Sequence, residues 1–420
     1  MDLWHIRGGN RLHGSVRLQG SKNASLPVLA ASIICPMECT LLNVPEILDV
    51  EAAAELLRHL GCRAERHADE MYIDSRTLSH CHIPKELMEE MRSSVIFMGA
   101  LLCRCGEARL SPPGGCQLGI RPIDLHLEAL RSLGAEIEEL PDGEIFCRAE
   151  KLRGAHIRLP FPSVGATENA VLAACGAAGR TVISGAAKEP EIKALTDFLN
   201  SAGACISGAG TEKIVIDGFK ARKNVTARII PDRIAGASLA CACAACGGEI
   251  EIKDCRPEEF STVLHFLNET GCDIISRPGI LKISSENRLR PVPAVITAPY
   301  PGFPTDAQPV LAAALLKADG CSSIMENIFR SRFDYAGELR KLGADIRIST
   351  GGRFAHIRGV DKLCGSVMNT CDLRGGAAMI IAALSAEGES LITDPGHVRR
   401  GYENFDDCLR SLGGEIYLET

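Results

Sequence analysis

One cysteine of the 19 in this chain stands apart from the others. Cys116 lies in the stretch SPPGGCQLGIRPIDL, a turn of prolines and glycines shortly before Arg121, whereas most of the other cysteines lie among alanines and other small apolar residues. A nearby cation favours the thiolate over the thiol. The pattern therefore predicts an exposed Cys116 thiol with a lowered pKa, which reacts before the other cysteines do.

Polar and charged residues recur just before six segments that are apolar on almost every side, a pattern typical of buried helices. They are Lys22 and Asn23, Arg92, the stretch 163–167, Asp232 with Arg233, Asp306, and Asp372 with Arg374. The first N–H groups of a helix are unpaired and carry partial positive charge, so we expect these helix starts to bind an anion. The sequence thus predicts a phosphate-bearing substrate without naming one.

The buried helices belong to an internal repeat of about seventy residues. Each copy ends an amphipathic helix at a glycine and continues into an alternating strand. These glycines are Gly61, Gly134, Gly203, Gly271, Gly343 and Gly413. Three copies around three buried helices would form one globular domain with its sheets outside, so six copies predict an α/β protein of two domains with a ligand cleft between them.

Composition excludes several classes of partner. The net charge of -7 and the lack of a basic run argue against nucleic acid. The longest uncharged apolar run, 234–248, is too short to span a membrane. The N-terminal stretch does not read as a signal peptide, and many cysteines without one indicate reduced thiols, so we expect a cytoplasmic protein with no membrane partner.

Two short cysteine motifs have metal-ligand spacing. They are CACAAC (241–246) and the HCH of SHCHIP (80–82). The first lies in a small-residue helix, where packing is the simpler explanation, and the second lacks a partner pair. We expect no metal and no other cofactor.

Four parts of the chain, together with the six repeats, resemble the UDP-N-acetylglucosamine 1-carboxyvinyltransferase family. They are GSKNASLPVLAA (20–31), SPPGGCQLGIRPIDLH (111–126), SVGATENAVLAA (163–174), and PGFPTDAQP (301–309) with RGYENFDDCLRSLG (400–413). The resemblance covers essentially the whole chain, including ENIFRSRF (326–333) and CDLRGG (371–376). Its most specific part is the cysteine loop followed by GIRP.

The resemblance implies two domains, each an inside-out α/β barrel of three repeats. The first would comprise 1–20 plus 231–420, and the second, with the cysteine loop, 21–230. The implied reaction transfers the enolpyruvyl group of phosphoenolpyruvate to the 3-hydroxyl of UDP-N-acetylglucosamine and releases phosphate without a metal. This reaction opens peptidoglycan synthesis, and the antibiotic fosfomycin blocks it by alkylating the loop cysteine.

The resemblance also implies roles for individual residues. Asp306 matches the base that acts on the sugar hydroxyl, and Cys116 matches the residue credited with protonating the methylene carbon. The implied catalytic residues are Cys116, Asp306, Lys22 and Arg400. Phosphoenolpyruvate would be bound by Lys22, Asn23, Arg92, Arg121, Arg332, Arg374 and Arg400. The UDP-sugar would be bound by Asn23, Arg92, Arg121, Pro122, Ile123, Asp124, Leu125, Ser163, Val164, Gly165, Asp306 and Ile328.

Several alternatives remain open at this point. Asp306 could be a helix cap, and Arg332 and Arg374 could form structural ion pairs. The family commonly has an acidic residue before the arginine of RGYE, where this chain has Arg399, a change that could alter how Arg400 is held. The protein could instead be a 3-phosphoshikimate enolpyruvyl transferase, against which GGCQLGIRP argues, or a catalytically silent paralogue that binds the UDP-sugar.

Overall fold

The computed structural model describes residues 2–111, 122–141, 143–220, 223–394 and 396–419. They form two compact units: unit 1 comprises 2–19 and 231–419, and unit 2 comprises 20–111 and 122–230. Each unit has its own hydrophobic core. Within the described residues, no helix is both long and apolar enough to cross a membrane.

Unit 1 contains three four-stranded sheets around three buried helices. Numbered in chain order, its strands are β1 (Asp2–Gly8), β2 (Leu12–Arg17), β15 (Gly248–Cys255), β16 (Asp273–Arg277), β17 (Gly279–Ser285), β18 (Val295–Ile296), β19 (Cys321–Met325), β20 (Asp345–Ile348), β21 (Phe354–Arg358), β22 (Val367–Asn369), β23 (Gly388–Asp394) and β24 (Glu415–Glu419). Its α-helices are α8 (Arg233–Cys246), α9 (Ser261–Glu269), α10 (Gln308–Leu315), α11 (Ala336–Leu339), α12 (Leu373–Leu384) and α13 (Phe405–Ser411).

Unit 2 repeats this plan. Its strands are β3 (Glu38–Leu42), β4 (Arg63–His67), β5 (Glu70–Asp74), β6 (His82–Ile83), β7 (Glu107–Leu110), β8 (Glu136–Glu139), β9 (Ile145–Arg148), β10 (His156–Arg158), β11 (Thr181–Ser184), β12 (Ala204–Ser207), β13 (Lys213–Phe219) and β14 (Val225–Arg228). Its α-helices are α1 (Lys22–Ala31), α2 (Leu48–His59), α3 (Lys85–Glu90), α4 (Phe97–Cys105), α5 (Asp124–Ser132), α6 (Val164–Ala174) and α7 (Pro190–Ser201).

All six sheets share one pairing pattern, which confirms the repeat. In each sheet a parallel pair at one edge is followed by two antiparallel pairs. The strand orders are β2-β15-β17-β16, β18-β19-β21-β20 and β22-β23-β1-β24 in unit 1, and β14-β3-β5-β4, β6-β7-β9-β8 and β10-β11-β13-β12 in unit 2. The six glycines expected to end helices all adopt left-handed φ angles between 92° and 102°, a conformation that favours glycine.

The buried helices are α1, α4 and α6 in unit 2 and α8, α10 and α12 in unit 1. Their alanine, glycine and cysteine residues let the helices approach closely, and in unit 1 α8, α10 and α12 each pack against the other two. Each unit is therefore an inside-out α/β barrel, with helices inside and sheets outside. Cys241 and Cys243 are fully buried in α8, and the described residues contain no cluster of His, Cys, Asp and Glu that could hold a metal ion.

The second buried helix of each unit begins differently from the continuous helix that the sequence pattern predicts. A 3-10 helix, Arg92–Ile96, precedes α4, and another, Thr305–Ala307, precedes α10. Pro309 in the first turn of α10 lacks a backbone N–H and fits only at a helix start. These tighter turns carry Arg92 and Asp306, two of the expected site residues.

Candidate active site

The centre of the site in unit 1 is the carboxylate of Asp306. Its Oδ1 accepts a hydrogen bond from Nη2 of Arg332, and its Oδ2 lies 3.5 Å from Nη2 of Arg374. The Asp306 side chain is 30% exposed, whereas those of Arg332 and Arg374 are 1% and 4% exposed. An accessible carboxylate held between two buried cations is well placed to accept a proton from a bound hydroxyl group.

Arg332 is fixed by three further groups. Its Nε donates a hydrogen bond to Oγ1 of Thr305 at 3.1 Å, and its Nη1 lies 3.7 Å from Oδ1 of Asp372. Its Cζ lies 5.2 Å from the centre of the Phe329 ring, a cation–π contact. Because the guanidinium group is planar, these contacts fix the direction in which Nη2 faces Asp306.

Arg374 has one donor left over. Its Cζ lies 5.1 Å from the centre of the Tyr402 ring, and the Tyr402 hydroxyl lies 2.8 Å from Oγ of Ser238. Nη1 of Arg374 is buried and has no hydrogen-bond partner among the described residues. A buried donor left unsatisfied costs about 1–3 kcal/mol, so this nitrogen is suited to bind an anion that enters the site.

The helix starts differ from the expectation that their first N–H groups are free for a ligand. Oδ1 of Asp232 accepts the N–H groups of the second and third residues of α8, and Oδ1 of Asp372 does the same for α12. Ser21 and Ser163 cap α1 and α6. At these four helices one or two of the first N–H groups are thus already paired, because the same residue types that can bind ligands also cap helices.

The structure also bears on the two readings of Asp306. Pro304 and Ala307, which hold the N-cap positions of the 3-10 turn and of α10, make no side-chain cap. The Asp306 carboxylate instead contacts Arg332 and Arg374. Asp306 therefore does not hold an N-cap position, and its role as the base stays a prediction.

The loop with Ile328 is held by Glu326, a residue to which the sequence analysis gave no role. The Oε1 atom of Glu326 accepts the N–H groups of Ile328 at 2.8 Å and Phe329 at 3.1 Å. Its Oε2 atom accepts the Thr305 hydroxyl at 3.0 Å. The only available signal was its place in the quoted segment ENIFRSRF, because nothing in the spacing links it to Thr305.

In unit 2, Lys22 is the first residue of α1. Its Nζ lies 2.7 Å from Oδ2 of Asp49, and the two side chains are 14% and 1% exposed. Asn23 follows Lys22 in the same helical turn and is half-buried. Asp49, the second residue of α2, was not anticipated from the sequence, and it holds the Lys22 ammonium group close to the start of α1.

Two groups of expected UDP-sugar residues are brought together in unit 2. Asp124 and Leu125 begin α5, and Ser163, Val164 and Gly165 begin α6. A Cβ atom at Gly165 would lie 2.8 Å from Cε1 of His126, so only glycine permits this approach of α6 to α5. The two helix starts are therefore neighbours.

His126 is held as a neutral ring by Asn169. Oδ1 of Asn169 accepts the Gly99 N–H at 2.7 Å, and Nδ2 donates to the Val95 carbonyl at 3.0 Å. The amide orientation is thus fixed, and Nδ2 also faces Nδ1 of His126 at 2.7 Å. Nδ1 must accept this hydrogen bond, so the ring hydrogen lies on Nε2. Burial lowers the pKa of His126 to about 4, with Asp124 opposing the shift.

The chain is similar to known proteins over almost its whole length. The family model of EPSP synthase (3-phosphoshikimate 1-carboxyvinyltransferase) matches residues 6–409. UDP-N-acetylglucosamine 1-carboxyvinyltransferase 2 of Caldanaerobacter subterraneus subsp. tengcongensis is 45% identical over 416 residues, which cover 99% of each chain. The UDP-N-acetylglucosamine 1-carboxyvinyltransferase of Halorhodospira halophila is 41% identical over 417 residues, again 99% of each chain.

The chain belongs to the UDP-N-acetylglucosamine 1-carboxyvinyltransferase family. The resemblance found in the sequence is thereby confirmed. Among solved structures, the enolpyruvyl transferase NikO from Streptomyces tendae matches with a TM-score of 0.89 and 25% identity, covering 100% of this chain and 99% of that one. EPSP synthase from Acinetobacter baumannii shares the fold, with a TM-score of 0.76 and 18% identity over 100% of both chains.

Not every residue that the UDP-N-acetylglucosamine 1-carboxyvinyltransferase family would use lies in the described structure. Cys116 and Arg121 lie outside the described residues, and so does the side chain of Arg92, whose backbone begins the 3-10 helix before α4. Pro122 is exposed and Ile123 is the N-cap residue of α5. The roles of all these residues stay predictions.

Arg399, at the position where members of the UDP-N-acetylglucosamine 1-carboxyvinyltransferase family commonly have an acidic residue, has an acidic partner. Its Nη1 lies 3.5 Å from Oδ2 of Asp2 in β1. The next residue, Arg400, ends the 3-10 helix Val398–Arg400, which Asp394 fixes by accepting the N–H groups of His397 and Val398. The positive charge of Arg399 is thus paired with the carboxylate of Asp2 in β1.

His126 should make the stability of this family member depend on pH. The unfolded chain takes up a proton near pH 6.5, whereas folded His126 does so only near pH 4. The unfolded state therefore binds more protons between these values, and stability falls as the pH falls through this window. We expect the wild type to lose about 2 kcal/mol more than His126→Gln between pH 7 and pH 5.

Urea unfolding at the two pH values measures this difference. The control is His156→Gln, which alters an exposed histidine of unit 2 and should lose as much stability as the wild type. Equal losses in the wild type and His126→Gln would show that His126 is not held neutral by the fold.

Proposed function

We propose that the protein transfers the enolpyruvyl group of phosphoenolpyruvate to the 3-hydroxyl of UDP-N-acetylglucosamine and releases phosphate, the reaction that opens peptidoglycan synthesis. The observation that carries this proposal is the Asp306 carboxylate between the buried guanidinium groups of Arg332 and Arg374. The sequence identity of 45% to a UDP-N-acetylglucosamine 1-carboxyvinyltransferase supports it.

The chemistry needs a base and an acid. Asp306 takes the proton from the 3-hydroxyl while the sugar oxygen bonds to carbon 2 of phosphoenolpyruvate, and Cys116 gives a proton to the methylene carbon. The Cys116 thiolate left by this addition takes a proton back from the methyl group, phosphate leaves carbon 2, and the double bond is restored. A base must be reached by the substrate, and the side chain of Asp306 is partly exposed.

The anionic substrate needs several fixed cations. In unit 1 we propose that Arg332, Arg374 and Arg400 bind the phosphate and carboxylate of phosphoenolpyruvate, since planar guanidinium groups match both anions. In unit 2 we propose the same role for Lys22, Arg92 and Arg121, with Asn23 beside them. The buried, unpartnered Nη1 of Arg374 is the donor best suited to this role.

The sugar nucleotide uses a second group of residues in this proposal. In unit 2 they are Asn23, Arg92, Arg121, Pro122, Ile123, Asp124, Leu125, Ser163, Val164 and Gly165, and in unit 1 they are Asp306 and Ile328. The contact between Gly165 and His126 supports the proposal because it makes the starts of α5 and α6 neighbours. We also propose that the domains are 1–20 plus 231–420 and 21–230, and that the protein is cytoplasmic.

Phosphate release tests the proposed function. Purified protein should release phosphate from phosphoenolpyruvate when UDP-N-acetylglucosamine is present and not with either substrate alone. Release that requires shikimate-3-phosphate instead would identify a 3-phosphoshikimate enolpyruvyl transferase. Binding of UDP-N-acetylglucosamine without any phosphate release would identify a catalytically silent paralogue.

The free nitrogen of Arg374 leads to a prediction on substrate affinity. Arg374→Lys keeps the charge but loses the planar group, so the KM for phosphoenolpyruvate should rise at least about tenfold. Affinity for UDP-N-acetylglucosamine, measured by calorimetry, should stay within about threefold. Arg347→Lys is the control, since Arg347 pairs with Asp345 and is 76% exposed. An unchanged KM for phosphoenolpyruvate in Arg374→Lys would remove Arg374 from the proposed anion site.

A further inference from the structure

Glu326 is a fully buried carboxylate that the proposed chemistry does not use. It directly follows β19, and its two oxygens accept three hydrogen bonds: two from the backbone at Ile328 and Phe329, and one from the Thr305 hydroxyl. Burying an ionised carboxylate is costly unless it is well hydrogen-bonded. Glu326 thus joins the segment with Asp306 to the segment with Ile328, and both are expected site residues.

Glu326 also determines the direction in which the Thr305 hydroxyl group donates its hydrogen bond. Thr305 has a single hydroxyl hydrogen, and Nε of Arg332, which donates to Oγ1 of Thr305 at 3.1 Å, cannot accept it. The hydrogen must therefore point to Oε2 of Glu326. An ionised Glu326 thus leaves a lone pair of Thr305 facing Arg332.

The hydrogen bond from Arg332 to Thr305 in turn affects the contact between Arg332 and Asp306. With Nε held by Thr305, Nη2 of the planar guanidinium group is directed to Oδ1 of Asp306. Glu326 is therefore three hydrogen bonds away from the carboxylate that we propose as the base. All the groups in this series lie in unit 1.

We infer that Glu326 is a positioning residue: through Thr305 and Arg332 it fixes the orientation of the Asp306 carboxylate for proton transfer. This inference rests on the proposed function. Proton transfer depends steeply on geometry. A change at Glu326 that keeps the acceptor for the Ile328 and Phe329 N–H groups should therefore lower turnover more than affinity for the sugar nucleotide.

Glu326→Gln tests the direction of the hydrogen bonds without removing the side chain. The amide oxygen can still accept the N–H groups of Ile328 and Phe329, but the amide nitrogen now donates to Thr305 and turns its hydrogen towards Arg332. We expect kcat to fall at least about tenfold and the Kd for UDP-N-acetylglucosamine to stay within about threefold.

Variants of Thr305 test whether the effect depends on the hydroxyl group that links Glu326 to Arg332. Thr305→Val keeps the shape but has no hydroxyl group, and it should lose as much kcat as Glu326→Gln. Thr305→Ser restores the hydroxyl and should recover most of the turnover. Because both changes break one series of contacts, the double variant Glu326→Gln/Thr305→Val should be no slower than the slower single variant, within about twofold.

Matched controls exclude a general loss of structure. Glu338→Gln makes the same exchange at another carboxylate of unit 1, which accepts the Asn369 N–H at 2.7 Å and pairs with Lys341. Thr270→Val removes a buried hydroxyl that donates to the Leu267 carbonyl. Both controls should keep wild-type kcat, and thermal unfolding should show folded protein throughout.

The outcomes separate this inference from the proposed function. A wild type that releases no phosphate with both substrates would overturn the proposed function and the inference with it. An active wild type in which Glu326→Gln keeps its kcat, or in which Thr305→Ser is as slow as Thr305→Val, would overturn the inference alone. If Glu326→Gln fails to fold, the comparison of Thr305→Val with Thr305→Ser decides the matter.

Discussion

Asp306→Asn should lower turnover by on the order of 100-fold or more while UDP-N-acetylglucosamine binds within about tenfold of the wild-type affinity. Asparagine has nearly the shape of aspartate, and its amide oxygen can still accept a hydrogen bond from Arg332 or Arg374. It cannot take a proton from the sugar hydroxyl. The expected loss is therefore in the chemical step, measured as kcat from phosphate release, and not in the fold.

A closely matched control is available for this variant. Asp345 also pairs with an arginine, Arg347, and its side chain is 30% exposed, like that of Asp306. Asp345→Asn should keep wild-type turnover. Near-normal turnover in Asp306→Asn would show that Asp306 is not the base, and its contacts with Arg332 and Arg374 would then be structural ion pairs.

Cys116 should tolerate aspartate better than serine. We propose that it donates a proton, and a carboxylic acid of similar reach can also do so, whereas a serine hydroxyl is too weak an acid. Cys116→Asp should therefore keep substantial activity and resist fosfomycin, because a carboxylate is a poor target for the epoxide. Cys116→Ser should lose most product formation. A residue that merely fits a tight turn would accept serine at least as well as aspartate.

Limited alkylation followed by peptide mapping checks the reactivity of the same thiol. Cys116 should be labelled first of the 19 cysteines. Burial raises the pKa of Cys39 and of Cys408 to about 12, so these thiols should be inert at neutral pH. Cys321 and Cys364 are exposed and serve as internal controls for access alone. Labelling of these two at the rate of Cys116 would contradict an activated thiol.

The repeats and the fold could be predicted from the sequence because their signals are local. A glycine such as Gly61 or Gly413 ends its helix in a left-handed conformation that other residues avoid. A single residue type at a single position is therefore enough to predict the end of the helix. The buried helices are equally local, since their composition alone separates them from the amphipathic helices that alternate with them.

The contacts that hold the site could not be predicted in the same way. The pairing of Lys22 with Asp49 and of Thr305 with Glu326 joins residues of different elements, for which no spacing rule exists. Asp232 shows a second difficulty. A carboxylate just before a buried helix can face a ligand or accept the first N–H groups of the helix, and Asp232 accepts those of Ile234 and Ala235.

The place of β1 in unit 1 has a consequence for how the chain folds during synthesis. This strand lies between β23 and β24, so the Trp4 indole donates to Asp394 across 390 positions of sequence. The described residues of unit 2 all lie between 20 and 230. Domains generally fold as they emerge from the ribosome, and contacts distant in sequence form late because closing a long loop costs entropy. Unit 2 can thus become compact early. Meanwhile β1 and β2 stay unpaired until β15, β23 and β24 have been synthesised. Those first strands are the part of the nascent protein most in need of protection from aggregation.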